Sequence, residues 1–387
     1  MVPLPADPGV PTRIVARSGA SRAVWDYVAE LGAVRPLFVC GRQVQAVGML
    51  DPILAVQPRG VDASIYGEVE PNPSDVTVTK AGEVAALTGA DVVIGIGGGS
   101  SMDGAKAVAA EALDRGWISR QAVPGRPTEI PRGALPLIAV PTTAGTGSEV
   151  TPFSVITFAA TERKLVLNHP DLQPRVALLD PGLLTTAPRD VRVAAGMDAL
   201  THAVESCVSR QATDATREFS LQAIELIGRH LSRAVAQASD AEAQGAMQIA
   251  AAVAGLAFSK ARLGIVHAMA LPLSAIFHVP HGAANAILLP HGMGFNAPSV
   301  PDEYADISEA MGEATAGRTD AEAAATAVEA VRQLAHAIGA PSRMGAVGVR
   351  PEAIERMAAD AIQSPHIATN PRAVALEDIV RIYREAL

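Results

Sequence analysis

The segment VVIGIGGGSSMDGAKAVA (92–109) has the pattern of a strand, a tight turn and a helix, the repeating unit of an α/β fold. An apolar run of strand length leads into consecutive glycines at 97–99, and a helical pattern follows at once. Glycine lets the backbone approach a ligand closely, and the free N–H groups at a helix N-terminus favour an anion. Ser100, Ser101 and Asp103 lie close to this helix start. The turn either binds a pyrophosphate or is purely structural, and its spacing matches neither G-x-G-x-x-G nor the P-loop.

Strand-like and helix-like segments alternate on both sides of this unit. The strand-like runs are 35–40, 90–99, 134–143, 152–159, 164–168 and 176–180, and the helical patterns among them are 21–32, 74–89 and 101–113. Such alternation predicts a parallel sheet covered by helices on both faces. After Pro188 only helical periodicity remains, at 189–209, 214–238, 240–259, 302–314, 318–339, 351–363 and 375–386. The predicted fold class is α/β plus all-α, with domains over residues 1–188 and 189–387.

The composition is that of a folded protein without a nucleic-acid or membrane partner. The chain has 387 residues and is therefore long enough to build two cores. Because 49% of its residues are hydrophobic, disorder is excluded as its main state. Its net charge of −9 argues against nucleic acid, whose phosphates need a basic surface. No apolar run reaches ~18 residues without a charge or a breaker, so no membrane span is expected.

The cysteines and the N-terminus indicate a cytoplasmic protein. Cys40 and Cys207 lie far apart in apolar contexts, where one disulfide is conceivable and two buried free thiols are favoured. The first residues, MVPLPADPGVPTR (1–13), lack a charged region followed by an apolar one. We therefore expect no signal peptide.

A second polar loop, PTTAGTGSEVTPFS (141–154), directly follows a predicted strand. Thr142, Thr143, Thr146 and Ser148 supply hydroxyl groups on a flexible backbone. By itself this loop is equally well explained as a solvated turn. Two such loops after strands of one parallel sheet would converge at its carboxyl edge, however, and together they predict a dinucleotide site.

The segment GIVHAMALPLSAIFHVPHGAANA (264–286) contains three of the chain's 9 histidines. These are His267, His278 and His281, and neutral imidazole is a common ligand of divalent transition metals. Each histidine alone is more often a structural residue than a ligand. Their clustering favours a metal site.

An upstream segment, GMDALTHAVES (196–206), adds a carboxylate and a further imidazole. Asp198 and His202 are spaced i, i+4, so both project from one face of a helix that is otherwise apolar. A buried aspartate is costly unless it is paired or ligated. With His267 and His281 the pair forms a set of one carboxylate and three imidazoles, which suits Fe(II) or Zn(II) acting as a Lewis acid on an alcohol or carbonyl oxygen.

Motifs along nearly the whole chain resemble those of the iron-containing (group III) alcohol dehydrogenase family. They are EPNPS (70–74), GGGSSMDGAK (97–106), PTTAGTGSEVT (141–151), DPGLLTTAP (180–188), GMDALTHAVES (196–206), VHAMALPL (266–273), PHGAANAILLPH (280–291) and TNPR (369–372). The resemblance implies a dinucleotide-binding α/β domain and a helical metal-binding domain, with the site in the cleft between them. It also implies a homodimer that uses NAD or NADP together with Fe(II) or Zn(II).

The resemblance also assigns roles to individual residues. It implies that the metal ligands are Asp198, His202, His267 and His281. The cofactor contacts that it implies are Asn72, Gly98, Gly99, Ser100, Ser101, Thr142, Thr143, Thr146 and Lys164.

The chain departs from the family pattern at two places. Leu271 stands where many members have a second-sphere histidine, and nearby His278 either takes over its catalytic role beside His281 or is only a wall residue. After the first long strand, Gly41 and Arg42 replace the aspartate of NAD-preferring members. Arg42 can pair with a 2′-phosphate, so we hypothesise that NADP(H) is tolerated.

The leading interpretation is a metal- and nicotinamide-dependent oxidoreductase of small alcohols and aldehydes. A reductase of an oxo-acid, such as maleylacetate or a short hydroxy-acid, would need a cation for the carboxylate, with Arg262 and Lys260 as the nearby candidates. A lyase of the dehydroquinate-synthase kind would need more cationic residues than these apolar segments carry. A non-enzymatic binding module would leave the four predicted ligands unexplained.

Overall fold

The computed structural model describes residues 11–123, 125–161 and 163–387. Two compact units can be distinguished among them. Within the described ranges, the first contains residues 11–143 and Gly147–Thr186, and the second contains Ala144–Thr146 and Ala187–Leu387. The division into functional domains at residue 188 stays a prediction. The expectation that no signal peptide is present concerns residues that lie mostly outside the described ranges.

The first unit contains a six-stranded sheet and a separate hairpin. Its strands are β1 (Arg13–Ala16), β2 (Pro36–Cys40), β3 (Ser64–Tyr66), β4 (Val92–Gly97), β5 (Leu137–Pro141), β6 (Phe153–Phe158), β7 (Arg163–Asn168) and β8 (Val176–Leu179). The sheet has the order β1-β8-β5-β4-β2-β3 and every pairing in it is parallel, whereas β6 and β7 pair antiparallel. The predicted parallel sheet is thus confirmed.

Helices cover both faces of this sheet. They are α1 (Val24–Glu30), α2 (Arg42–Ala46), α3 (Asp51–Leu54), α4 (Asp75–Thr88), α5 (Gly99–Leu113) and α6 (Trp117–Arg120). Alternate residues of one strand enter different cores: Leu37 lies in one hydrophobic cluster, and Phe38 in the other. Every residue of β2, β4, β5 and β8 is buried, which explains why these strands read as unbroken apolar runs.

The second unit is helical. Its helices are α7 (Arg189–Val208), α8 (Asp214–Ala236), α9 (Ala241–Ala261), α10 (Ile265–Phe277), α11 (His281–Asn296), α12 (Pro301–Ala310), α13 (Asp320–Ala337), α14 (Ile354–Ala361) and α15 (Leu376–Ala386). No single helix within the described ranges is long and apolar enough to cross a bilayer; α9 and α10 meet that criterion only as a pair bent by 106°. Cys40 and Cys207 are buried free thiols, as the sequence favoured.

A buried polar network fastens α5 to the polar segment that follows β5. Lys106 is fully buried and donates hydrogen bonds to Ser148 Oγ at 2.7 Å and to the Phe153 carbonyl at 2.7 Å. Asp103 accepts from Ser148 Oγ at 2.8 Å. Burial lowers the pKa of Lys106 to about 8, and burial raises the pKa of Glu149 to about 7. The network therefore holds this segment in place with groups that titrate near neutral pH.

We expect the stability of the first unit to depend on Glu149 in weakly acidic solution. Because its folded-state pKa is raised from 4.5 to about 7, its contribution to stability is complete below pH 4.5 and is lost as the pH rises to about 7. Relative to Glu149→Gln, which cannot titrate, the wild type should lose up to about 3 kcal/mol across this window. Urea unfolding followed by tryptophan fluorescence reports this unit alone, since both tryptophans, Trp25 and Trp117, lie in it.

A matched control is Glu83→Gln, which alters a half-exposed glutamate of the same unit. Its stability should follow the wild-type pH profile. Parallel profiles for the wild type and Glu149→Gln would contradict the role of Glu149.

Candidate functional site

Helix α7 carries the first two of the predicted metal ligands. Asp198 and His202 are both buried, with 4% and 6% of their surfaces exposed, and they lie one turn apart as the sequence predicted. Helix α11 begins close to this helix because residue 282 is glycine: a Cβ there would lie 2.1 Å from the Ala194 carbonyl oxygen. His281, the first residue of α11, is thereby brought near Asp198, with 3.8 Å between Nε2 and Oδ1.

Three of the four predicted ligands form one compact cluster. Asp198, His267 and His281 each offer a ligand atom, and these atoms all lie within 4.8 Å of one another. His202 lies beside them: its ring stacks on that of His267 with centroids 4.8 Å apart, and its Nδ1 lies 3.3 Å from the Gly145 carbonyl oxygen. The structure therefore brings all four residues to one place, although their role as ligands stays a proposal.

The electrostatics of the cluster favour a charged Asp198 and a neutral His267. Burial alone would raise the pKa of Asp198, but His202, His281 and His267, together with the Asn285 amide, hold it below its ordinary value. Burial and the neighbouring imidazoles lower the pKa of His267 well below its ordinary value. An ionised carboxylate beside unprotonated imidazoles is the form that binds a divalent cation.

Asn285 provides a test of whether the cluster suits a metal. It follows His281 by one turn, and its Nδ2 donates to Asp198 Oδ1 at 2.7 Å and lies 3.3 Å from Nε2 of both His267 and His281. Within the described residues, its buried Oδ1 has no hydrogen-bond partner. The positive end of this amide thus faces a carboxylate oxygen and two imidazole nitrogens, the atoms that would face a bound cation. Nitrogen and oxygen donors that converge in this way fit Fe(II) or Zn(II).

His278 and His366 differ in their position relative to the ligand cluster, and sequence reasoning considered only His278. His278 is exposed at the end of α10, with a positive φ of 53°, and within the described residues it makes no hydrogen bond or ring contact with the cluster. His366 is half-buried, and its ring meets that of His267 edge-on with centroids 6.2 Å apart. Leu271 is 42% exposed, one turn beyond His267 on α10.

Sequence reasoning also missed Glu205, which is buried on α7. Its Oε2 lies 2.6 Å from His267 Nδ1. Burial raises the pKa of Glu205, and the N–H groups at the start of α10 oppose that rise. One sequence signal was present: Glu205 follows Asp198 by two helical turns, on the same face as His202. Likewise, Asn285 lies four residues after His281.

In the first unit, the glycine turn has the geometry expected of an anion site. Gly97 has a φ of 143°, which favours glycine, and α5 begins at Gly99 with Gly98 as its N-cap. A Cβ on Gly98 would lie 3.4 Å from the Thr143 side chain, so the two predicted loops approach each other here. Thr142 N–H donates to the Gly97 carbonyl at 2.8 Å.

Three further predicted cofactor contacts lie together beside that turn. Asn72 donates its backbone N–H to Ser100 Oγ at 3.1 Å, and its Oδ1 accepts from Lys164 Nζ at 2.8 Å. Burial lowers the pKa of Lys164. Ser101 lies in the first turn of α5, and Thr146 belongs to the second unit.

Arg42 has a partner that the sequence did not indicate. It follows Gly41, the N-cap of α2, and pairs with Glu68 across 3.4 Å, with both side chains exposed. Such an exposed pair contributes little to stability, on the order of 0–1 kcal/mol. Lys260 and Arg262, the candidates for binding an oxo-acid, both interact with other groups of the chain.

Comparisons with known proteins agree on one family. The family model for iron-containing alcohol dehydrogenase matches residues 11–181, and the model for the C-terminal part of the Fe-containing alcohol dehydrogenase family matches residues 192–387.

Curated relatives and a solved structure match almost the full chain. NAD-dependent methanol dehydrogenase of Bacillus methanolicus is 34% identical over 98% of this chain and 99% of its own length. Lactaldehyde reductase of Escherichia coli (strain K12) is 39% identical over 95% and 96%. A crystal structure of 1,3-propanediol oxidoreductase superposes with a TM-score of 0.94 at 36% identity, covering 98% of each chain. The chain therefore belongs to the iron-containing alcohol dehydrogenase family.

Proposed function

We propose that this protein is an NAD(P)- and metal-dependent oxidoreductase that interconverts small alcohols and aldehydes. The observation that carries the proposal is the convergence of ligand atoms from Asp198, His267 and His281 within 4.8 Å. The substrate class is supported by relatives that are named methanol dehydrogenase, 1,3-propanediol dehydrogenase and lactaldehyde reductase.

The residues of the second unit would bind and orient the substrate oxygen. A divalent cation held by Asp198, His202, His267 and His281 would supply Lewis acidity towards an alcohol or carbonyl oxygen. Asp198 supplies the negative charge of the donor set, because its neighbours keep its pKa low. Of the three clustered residues Asp198, His267 and His281, only His281 is half-buried and not buried, so we expect a small ligand to approach from its side. We also propose His281 as a catalytic residue, because it would help to hold the cation that acts on the substrate oxygen.

The residues of the first unit would hold the dinucleotide. The bound nicotinamide would supply the hydride acceptor or donor. The N-terminus of α5 suits the pyrophosphate of the dinucleotide, and Gly98 and Gly99 would let the backbone approach that group closely. Lys164 and Asn72 form a polar pair beside Ser100, suited to ribose or phosphate oxygens. We extend the proposal to a cytoplasmic homodimer; the buried free thiols support the compartment, and the family resemblance supports the assembly.

Removing the metal should abolish turnover and restoring it should recover turnover. We expect Asp198→Asn to lose bound metal and to lower kcat/KM by at least about a hundredfold, because the only carboxylate of the donor set is gone. Asp190→Asn, on the exposed first turn of the same helix, serves as the control and should keep the bound metal and the wild-type kcat/KM. Elemental analysis and initial rates measure the outcome. Full activity in a preparation free of metal would rule out the metal role.

Cofactor preference should depend on the Arg42–Glu68 pair. The wild type should accept NADPH as well as NADH. Glu68→Gln should raise the efficiency with NADPH over that with NADH by roughly tenfold, because it removes a charge that repels the 2′-phosphate and frees Arg42 to bind it. Arg42→Gln should shift the ratio the other way. A strict NADH preference that neither variant alters would reject Arg42 as a phosphate contact.

His278 and His366 are the two candidates for a polar contact to the substrate. Since only His366 lies beside the cluster, we expect His366→Phe to raise the KM for a vicinal diol roughly tenfold, with a smaller effect on a simple alcohol. We expect His278→Phe to change either KM less than twofold. Steady-state kinetics with ethanol and 1,2-propanediol measure both. The reverse ranking would assign the contact to His278.

A further inference from the structure

Glu205 is an enclosed carboxylate to which the proposed chemistry gives no direct role. Only 3% of it is exposed. It accepts a hydrogen bond from the Val266 backbone N–H at 2.6 Å, and its other oxygen lies 3.4 Å from the His267 backbone N and 2.6 Å from His267 Nδ1. One side chain thus contacts both the first turn of α10 and the imidazole that this turn carries.

The start of α10 depends on side chains from elsewhere in the unit. Gly264, its N-cap, offers no capping side chain. Ile265 N–H instead donates to Asn370 Oδ1 at 3.1 Å, and Glu205 takes the next two N–H groups. A Cβ on Gly264 would lie 2.9 Å from oxygens of both Glu205 and Asn370, so glycine is what allows both to approach. The positive end of the helix dipole further favours the carboxylate.

The contacts decide which nitrogen of His267 carries the proton. Both oxygens of Glu205 face backbone N–H groups, and this favours the ionised carboxylate, which only accepts hydrogen bonds. With an ionised Glu205, the 2.6 Å contact needs a proton on Nδ1, because the carboxylate has none to donate. The unprotonated Nε2 then points to the donor cluster, where it lies 3.3 Å from Asn285 Nδ2.

We propose that Glu205 is a positioning residue, which fixes the tautomer and ring orientation of His267 so that Nε2 is presented to the metal. The inference rests on the proposed metal site. Carboxylates that accept the N–H on the other ring nitrogen of a ligating histidine typically contribute 10- to 100-fold to metal affinity, about the range expected here. Removing only a helix cap would lower stability and leave the affinity of the folded site unchanged.

The chain offers a matched control for that distinction. Glu111 is also buried and caps a helix start, accepting from Gly116 N–H at 2.7 Å and Ile118 N–H at 2.8 Å. Within the described residues its side chain contacts no histidine. Glu205→Gln and Glu111→Gln therefore both weaken a buried cap, but only the first alters a proposed ligand's partner.

The experiment measures Co²⁺ affinity by competition with a chelator, together with the visible spectrum of the bound ion. We expect Glu205→Gln to bind Co²⁺ about 10- to 100-fold more weakly, with an altered spectrum, and Glu111→Gln to bind within twofold of the wild type. Both variants should unfold at lower temperature. Glu205→Asp, which keeps the charge, should restore part of the affinity, and it also serves if Glu205→Gln does not fold.

The possible outcomes distinguish a failure of the Glu205 role from a failure of the proposed metal site. If the wild type binds Co²⁺ and both Glu205 variants bind it equally well, the positioning role is overturned and the metal site stands. If the wild type binds no Co²⁺, the metal site fails and this inference fails with it.

Discussion

The second unit is organised around the need to partner two buried carboxylates on α7. Asp198 and Glu205 lie two turns apart and are almost completely enclosed, and a carboxylate in that position is costly without partners. Asp198 is met by imidazoles and an amide, and Glu205 by the start of α10 and His267. Because most of these partners lie on α10 or α11, moving either helix would take partners away from a buried carboxylate. This requirement holds the helix starts and the candidate metal centre together.

The first unit also contains a buried charged side chain that needs partners, in this case a cation. Lys106 ties α5 to the segment after β5 through Ser148 and the Phe153 carbonyl. The same helix begins at the glycine turn, so the network that buries Lys106 also supports the candidate pyrophosphate site. The strand order places β2, β4 and β5 side by side, and the predicted contacts at their ends become neighbours for that reason.

Sequence reasoning predicted those parts of the fold that have continuous apolar runs or long helical periodicity. Strands β2, β4 and β5 are buried along their whole length and therefore read as apolar runs. Strands β1 and β3 were not predicted, because they are short, lie at the sheet edges and are only partly buried. The hairpin of β6 and β7 was predicted as two strands, but nothing in their composition indicated that they pair outside the main sheet.

Residue types and their spacing along the chain were enough to predict the chemical groups of the sites: the carboxylate and imidazoles, the i, i+4 spacing of Asp198 and His202, and the glycine turn. These are local properties, set by helix period and residue type. The contacts between distant side chains became known from the folded chain: Glu205 contacts His267, Arg42 pairs with Glu68, and the ring beside the cluster belongs to His366 and not to His278. The physical reason is that packing between helices, which depends on close approaches such as that at Gly282, sets distances that spacing along the chain does not encode.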